Sequence, residues 1–192
     1  MQRVLKYPLF FNDLLKSTTA EDPARSSIQN AASHCEGLAK YINDHKNQKE
    51  NRDKLQEIDK SLTGSKNKIN GPSRIFMREG QVQFYKEKRK KAKPIRAMLF
   101  NDMLLFAKEK GTNSYSFKES FPTHSLLARK HASEIDEVEF KCIDKRSFSI
   151  IFKSEYEQKQ WLTDIMKVIE EQTLKQDRSV QTAKALLLQD WK

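Results

Sequence analysis

Seven cations crowd one short stretch: Lys86, Lys88, Arg89, Lys90, Lys91, Lys93 and Arg96, with Glu87 the lone acid among them. Such a run can converge on phosphates, each Lys or Arg near an anionic surface contributing roughly 1 kcal/mol. It can equally be a solvated loop with diffuse, salt-sensitive attraction, the commoner fate of a charge run. Little other chemistry competes with it. His34, His45, His124 and His131 show no metal-ligand spacing with Cys35 and Cys142. No Ser, Thr or Cys stands in a nucleophile signature, and the five glycines form no phosphate-cradling motif. Recognition of anions, without covalent catalysis, metal or cofactor, is the chemistry to expect.

The totals agree. A net charge of +10 favours lipid headgroups, nucleic acid or an acidic protein face. Nucleic acid ranks last, because Tyr85 is nearly alone as an aromatic beside the basic run and stacking platforms would be required. The 192 residues allow one large or two small domains, and 37% apolar with 32% charged residues leaves some of the chain outside any core. No apolar run reaches membrane-spanning length, and the first residues do not read as a signal peptide. Two cysteines far apart in sequence fit reduced thiols and a cytoplasmic setting, and the positive charge fits a peripheral place at membranes.

The elements that must hold the basic run in place are read from the far end backwards. Ser154 to Glu171 spaces Tyr156, Trp161, Leu162, Ile165, Met166 and Ile169 as one apolar helix face, and Ser154 with Glu157 forms a capping box. Trp161 is structural on this reading: a large ring on the apolar face, whose loss costs several kcal/mol. The spacing predicts strands at about 80–87, 95–101, 103–109, 114–120, 137–143 and 147–153, with a weaker one at 124–128. Asn101-Asp102 makes a tight turn inside the apolar hairpin Leu99-Phe100-Asn101-Asp102-Met103-Leu104-Leu105-Phe106. A sheet curled around one helix face is the natural arrangement, since neither element buries its apolar side alone.

Ahead of the strands, Val4, Tyr7, Phe11, Leu14 and Leu15 give helical spacing over 1–17, with Pro8 as an interior kink. From Arg25 a second helix runs through Ile28, Ala32, Cys35, Leu38 and Ile42, then more sparsely through Leu55, Ile58 and Leu62, to end near Gly64. Its polar second half reads as a projecting rod. The stretch 65–73 is a linker, and 173–192 a tail in which Leu186, Leu187, Leu188 and Trp191 form a short apolar cluster, either a docked helical turn or disordered.

Two resemblances sharpen this picture. Residues 74–172, through Phe148-Ser149-Ile150-Ile151-Phe152, Gln160-Trp161-Leu162 and the apolar hairpin, resemble a pleckstrin-homology (PH) domain. That implies a seven-stranded β-sandwich or barrel capped by its C-terminal helix, with the basic run in the first loop, where many PH domains bind inositol phospholipids. Pro94 stands where the stringent lipid pattern has a basic residue, which implies weak rather than stereospecific binding.

Residues 1–64 resemble the end of a Dbl-homology (DH) domain, the exchange module of Rho-family guanine nucleotide exchange factors. The carriers are Gln2-Arg3-Val4-Leu5-Lys6-Tyr7-Pro8-Leu9, Leu14-Leu15-Lys16, Ala31-Ala32-Ser33-His34 and Tyr41-Ile42-Asn43. The fold class implied is α+β: two long helices, the remnant of a helical bundle, then the PH domain. The resemblance implies that Lys6 and Asn43 contact the switch regions of a Rho-family GTPase. The family's acidic contact residue lies upstream of the matching segment, so the chain alone is expected to be inactive: a regulator in the intact protein, not an enzyme. Phe10, Phe11, Leu14, Leu15 and Ile28 are then expected to lack cover and to invite self-association. The alternative is an anionic-membrane adaptor without exchange activity, in which the basic loop is the working site.

Overall fold

A computed structural model of the chain describes residues 3–65, 68–86, 92–189 and 191. It divides into two units, Met1–Asp53 and Lys54–Lys192, and the long second helix begins in one and ends in the other.

In the first unit a 3-10 turn, Val4–Lys6, leads into α1, Tyr7–Ser17. Pro8 does not kink a helix interior: the α-helix starts at Tyr7, so Pro8 falls in the first turn, where its missing N–H costs nothing. After a connector, α2 runs Arg25–Ser61. The guanidinium of Arg25 donates to the carbonyls of Leu15 (3.1 Å) and Thr18, satisfying acceptors that the end of α1 leaves free. Asn12 Nδ2 donates to Glu36 Oε1 at 3.1 Å, so the two helices run antiparallel side by side. Among the described residues up to Asp53, only Ala32 is buried. Leu9, Phe10 and Leu14 are 65%, 63% and 47% exposed, while Phe11, Leu15 and Ile28 are half-buried.

The second unit is an eight-stranded sheet in the order β1-β5-β4-β3-β2-β8-β7-β6. The strands are β1 (Leu62–Thr63), β2 (Phe76–Lys86), β3 (Lys93–Phe100), β4 (Met103–Gly111), β5 (Ser114–Pro122), β6 (Leu126–Lys130), β7 (Glu137–Cys142) and β8 (Ser147–Ile151). The seven long strands pair antiparallel, and β1 adds two residues parallel to β5. The strand expected at 124–128 starts later, because Thr123–Ser125 closes a 3-10 turn whose Thr123 hydroxyl bonds the Asn101 carbonyl.

Alternation splits the apolar residues between two clusters. Inward lie Val82, Ala97, Leu99, Leu104, Phe106, Phe121, Phe140, Phe148 and Ile150, closed by α3 (Glu155–Leu174) through Trp161, Ile165 and Ile169. Gly80 makes the helix's approach possible, since a Cβ there would sit 3.2 Å from the Trp161 ring. Outward, Met98, Phe100, Leu105 and Ala107 meet Leu55 and Ile58 from the last turns of α2, with Leu62 and Ile69. These turns are therefore packed on the sheet and are not a free rod. The hairpin of β3 and β4 is apolar in both parities because both of its faces are covered.

Two residues of the expected α3 face are elsewhere. Tyr156 is 73% and Met166 47% exposed, and Val168 takes the inward place instead. The cap is present: Ser154 Oγ accepts from Glu157 N–H at 3.2 Å, while the Glu157 carboxylate reaches back to the N–H of Lys153. The tail forms α4, Arg178–Gln189.

Candidate functional site

Lys6 closes the 3-10 turn and stands as the N-cap of α1, with its side chain exposed. Asn43 is exposed on α2. From the Asn12–Glu36 hydrogen bond, Lys6 lies six residues back toward the start of α1 and Asn43 seven residues forward along α2. At 1.5 Å per helical residue both are displaced about 9 to 10 Å in the same direction, so they share one end of the helix pair. Seven residues are two turns, which keeps Asn43 on the stripe of α2 that Glu36 occupies. Neither side chain has a hydrogen bond or ion pair among the described residues. A basic group and an amide are thus left free at that end, able to bond a carboxylate and a backbone amide of a partner.

The described members of the basic run do not share one face of the sheet. Lys88, Arg89, Lys90 and Lys91 lie outside the described residues. Of the others, Phe84 and Lys93 are directly opposed on β2 and β3, and Phe84 faces the inner core, so Lys86 and Lys93 share that face at its open end. Arg96 is on the other face. It pairs with Glu79 at 3.2 Å and stands over the Tyr115 ring at 5.8 Å, lining a cleft of about 310 Å³ with Lys54, Glu57 and Lys60. Lys54 also reaches Glu79, at 2.9 Å. Burial pulls its pKa down, but Glu79 and Glu57 outweigh that and raise it above the ordinary lysine value. Arg96 is therefore engaged in an ion-pair cluster on the opposite face from Lys86.

Two residues the sequence reading passed over join Lys86 instead. The Lys86 ammonium and the Arg146 guanidinium share the Glu119 carboxylate, at 2.7 and 3.2 Å. Arg146 also pairs with Asp144 and holds its carboxyl below the usual carboxylate range. Lys145 takes a positive φ of 64° in the turn between them. Lys86, Lys93, Lys145 and Arg146 thus rim the open end with two carboxylates among them, a partly neutralised cationic surface. No sequence motif marks Arg146, because the β7–β8 turn brings it beside Lys86 only after the sheet has formed.

Trp161 is 1% exposed. Phe152 packs beside it and the Arg78 guanidinium lies 5.9 Å from its ring centre. Arg78 is itself held by Asp164 at 2.6 Å and Gln160 at 3.1 Å, which ties β2 to α3. Cys142 is buried, and burial first, with Asp144 adding, pushes its thiol up to about 12, so it stays protonated at neutral pH.

Among known families, residues 73–168 match the SOS1/NGEF-like PH domain. The chain belongs to that PH family. Residues 1–43, within the helical unit ahead of the PH sheet, match the RhoGEF domain. "FYVE, RhoGEF and PH domain-containing protein 6" of Mus musculus and of Homo sapiens are each 31% identical over 172 residues, covering 89% of this chain and 12% of their own length. "Rac guanine nucleotide exchange factor JJ" of Dictyostelium discoideum is 26% identical over 171 residues, covering 86% of this chain and 14% of its own. The chain therefore spans only about an eighth of these relatives.

Solved structures agree in fold. Vav1 bound by an allosteric inhibitor superposes with a TM-score of 0.75 at 23% identity, covering 88% of this chain and 45% of that one. The N-terminally truncated linker-DH/PH domains of p115-RhoGEF superpose with the same TM-score of 0.75 at 18% identity, covering 88% and 54%. The order expected from sequence, helices and then a PH sheet closed by a C-terminal helix, is the order found. No helix among the described residues is long and apolar enough to cross a membrane.

Proposed function

We propose that this chain is the C-terminal DH–PH segment of a guanine nucleotide exchange factor for Rho-family GTPases, with the PH domain directing or regulating exchange at anionic membranes. The observation that carries the proposal is the RhoGEF-matching segment with Lys6 and Asn43 exposed, unpaired and at one end of the helix pair, in a chain that continues into a PH domain. The names of the relatives point the same way, each describing a RhoGEF or a Rac exchange factor.

In this reading Lys6 and Asn43 hold the GTPase with its switches displaced, so that nucleotide leaves. The segment works by binding the nucleotide-free form more tightly than the loaded one, without bond chemistry of its own. The PH unit contributes Lys86, Lys93, Lys145 and Arg146, together with Lys88, Arg89, Lys90 and Lys91 between the first two in sequence, as a weak site for anionic lipid at the cytoplasmic membrane face. Arg96 is left out of that site by its engagement with Glu79 on the other face. Functionally we assign 1–64 to the DH domain, 65–73 to the linker, 74–172 to the PH domain and 173–192 to the tail. Alone, the chain is expected to exchange poorly and to self-associate, because its helical unit buries so little.

The test is nucleotide release from a Rho-family GTPase, catalysed by the intact protein that contains this segment. Lys6→Ala or Asn43→Ala is expected to slow release by about tenfold, equal to ~1.4 kcal/mol of transition-state stabilisation, with unchanged circular dichroism. Wild-type rates in both variants would sink the assignment.

A further inference from the structure

The segment beyond residue 168 lies outside the PH-family match, yet α4 packs beside α3 and the Thr123–Ser125 turn, and Trp191 reaches the β6–β7 hairpin. Arg129 and Glu139 are opposed on β6 and β7, with Leu127 and Lys141 opposed two residues along on the same outer face. Trp191 lies over this face, 4.5 Å from the Arg129 guanidinium and 5.1 Å from the Lys141 ammonium, and is 9% exposed. Arg129 is fixed by Glu139 at 2.7 Å and also donates to the Trp191 carbonyl. An indole held by two cations and by its own carbonyl has the anatomy of a recognition anchor: a buried Trp with an oriented Arg, the residue types that dominate binding hot spots.

The rest of the segment grips weakly. Leu186 and Leu188 are 58% and 51% exposed. The inward side of α4 carries Lys184, 5% exposed, whose ammonium bonds the Thr173 hydroxyl at 2.6 Å with no carboxylate in ion-pair range among the described residues. Burial draws its pKa down to about 8, the mark of an amine held where its charge is unwelcome. A strong anchor on a helix with a costly inward cation describes a ligand that is bound and releasable, unlike a core element.

We propose that the outer face of the β6–β7 hairpin is a docking site for an aromatic residue carried at the end of an amphipathic helix, and that the chain's own Arg178–Trp191 segment, with Trp191 as the docked residue, is the ligand it holds reversibly in cis. Tethering gives the segment an effective concentration in the millimolar range, so a free peptide competes poorly until the cis anchor is removed. A partner presenting a Trp on a helix would gain this face as the tail leaves it, in the helix-in-groove mode.

The full chain, labelled with 5-fluorotryptophan, has two fluorine signals, from Trp161 and Trp191. In the wild type the Trp191 signal is expected away from that of a synthetic peptide of residues 176–192. It should move to the free position in Arg129→Gln/Lys141→Gln while Trp161 stays put. The same peptide carrying a fluorophore should bind Trp191→Ala at least tenfold more tightly than wild type, and lose that gain when Arg129 and Lys141 are also replaced. A Trp191 signal already at the free position in wild type overturns the proposal, as does one unmoved in the double variant. Equal or absent peptide binding by wild type and Trp191→Ala overturns it too.

Discussion

Leu55→Ala separates a packed end of α2 from a solvated one by sign as well as size. Leu55 is 1% exposed and meets Ile58, Leu62, Ile69, Met98, Phe100, Leu105 and Ala107 in the outer cluster. The substitution removes three carbon groups worth roughly 0.8 kcal/mol each in transfer. The cavity it leaves brings the expected loss to about 3 kcal/mol, within the usual range for a buried Leu→Ala change. Helix propensity acts the other way, but Ala gains only a few tenths of a kcal/mol over Leu. On a solvated rod that small gain would be the whole effect, and the variant would be neutral or slightly more stable. Urea unfolding followed by the buried Trp161 decides between them. With a slope of about 2 kcal/mol per molar, the midpoint should fall by roughly 1.5 M at unchanged slope. Leu38→Ala, at a site 49% exposed, serves as the control and should stay within ~0.5 kcal/mol. A Leu55→Ala midpoint within about 0.3 M of wild type would refute the packing argument.

Two further outcomes follow from the charged groups. The folded-state pKa of Lys184 is depressed from 10.5 to about 8, so between those values the unfolded chain holds a proton that the folded chain has released. Wild-type stability should therefore be lowest below pH 8 and rise through that window, by at most about 3 kcal/mol. Lys184→Met should raise the thermal midpoint at pH 7 and lose its advantage above about pH 10; a pH-independent difference would contradict the burial of the amine. Liposomes of anionic lipid test the division of the basic run. Replacing Lys86 and Lys93 by Gln should weaken binding by up to about 2 kcal/mol, and neutralising Lys88 to Lys91 should weaken it further. Arg96→Gln should leave binding near wild type, and a loss at Arg96 equal to that at Lys86 would show that the two act on one surface.

What the sequence revealed follows from where apolar residues were dense. Trp161 and the β3–β4 hairpin were legible because one helix face and two covered sheet faces leave strong patterns. The last turns of α2 were not, since Leu55, Ile58 and Leu62 alone are too sparse to distinguish a packed helix from a solvated one. β1, two residues long, has no period to read. Pro8 was misplaced because whether a proline kinks a helix or starts it depends on where the preceding 3-10 turn gives way. At the candidate sites, Lys6 and Asn43 could be named from a motif, but their shared end of the helix pair needed the Asn12–Glu36 contact. The basic run looked like one cluster because linear density hides strand parity: Lys86 and Arg96 leave opposite faces of the sheet. Arg146 carried no signal, since a lone arginine in a turn gains its meaning from the neighbouring strand.

The central claim is that the Lys6–Asn43 end of the helical unit meets a GTPase from which nucleotide has gone. A photo-crosslinking residue placed at Asn43 in the intact protein, mixed with a Rho-family GTPase, tests it most directly. The account predicts an adduct with the nucleotide-free GTPase that fades when GDP and magnesium are restored, and none from a control position on the exposed outer side of α3 such as Met166. Equal adducts from both positions, or an adduct at Asn43 indifferent to nucleotide, would contradict it.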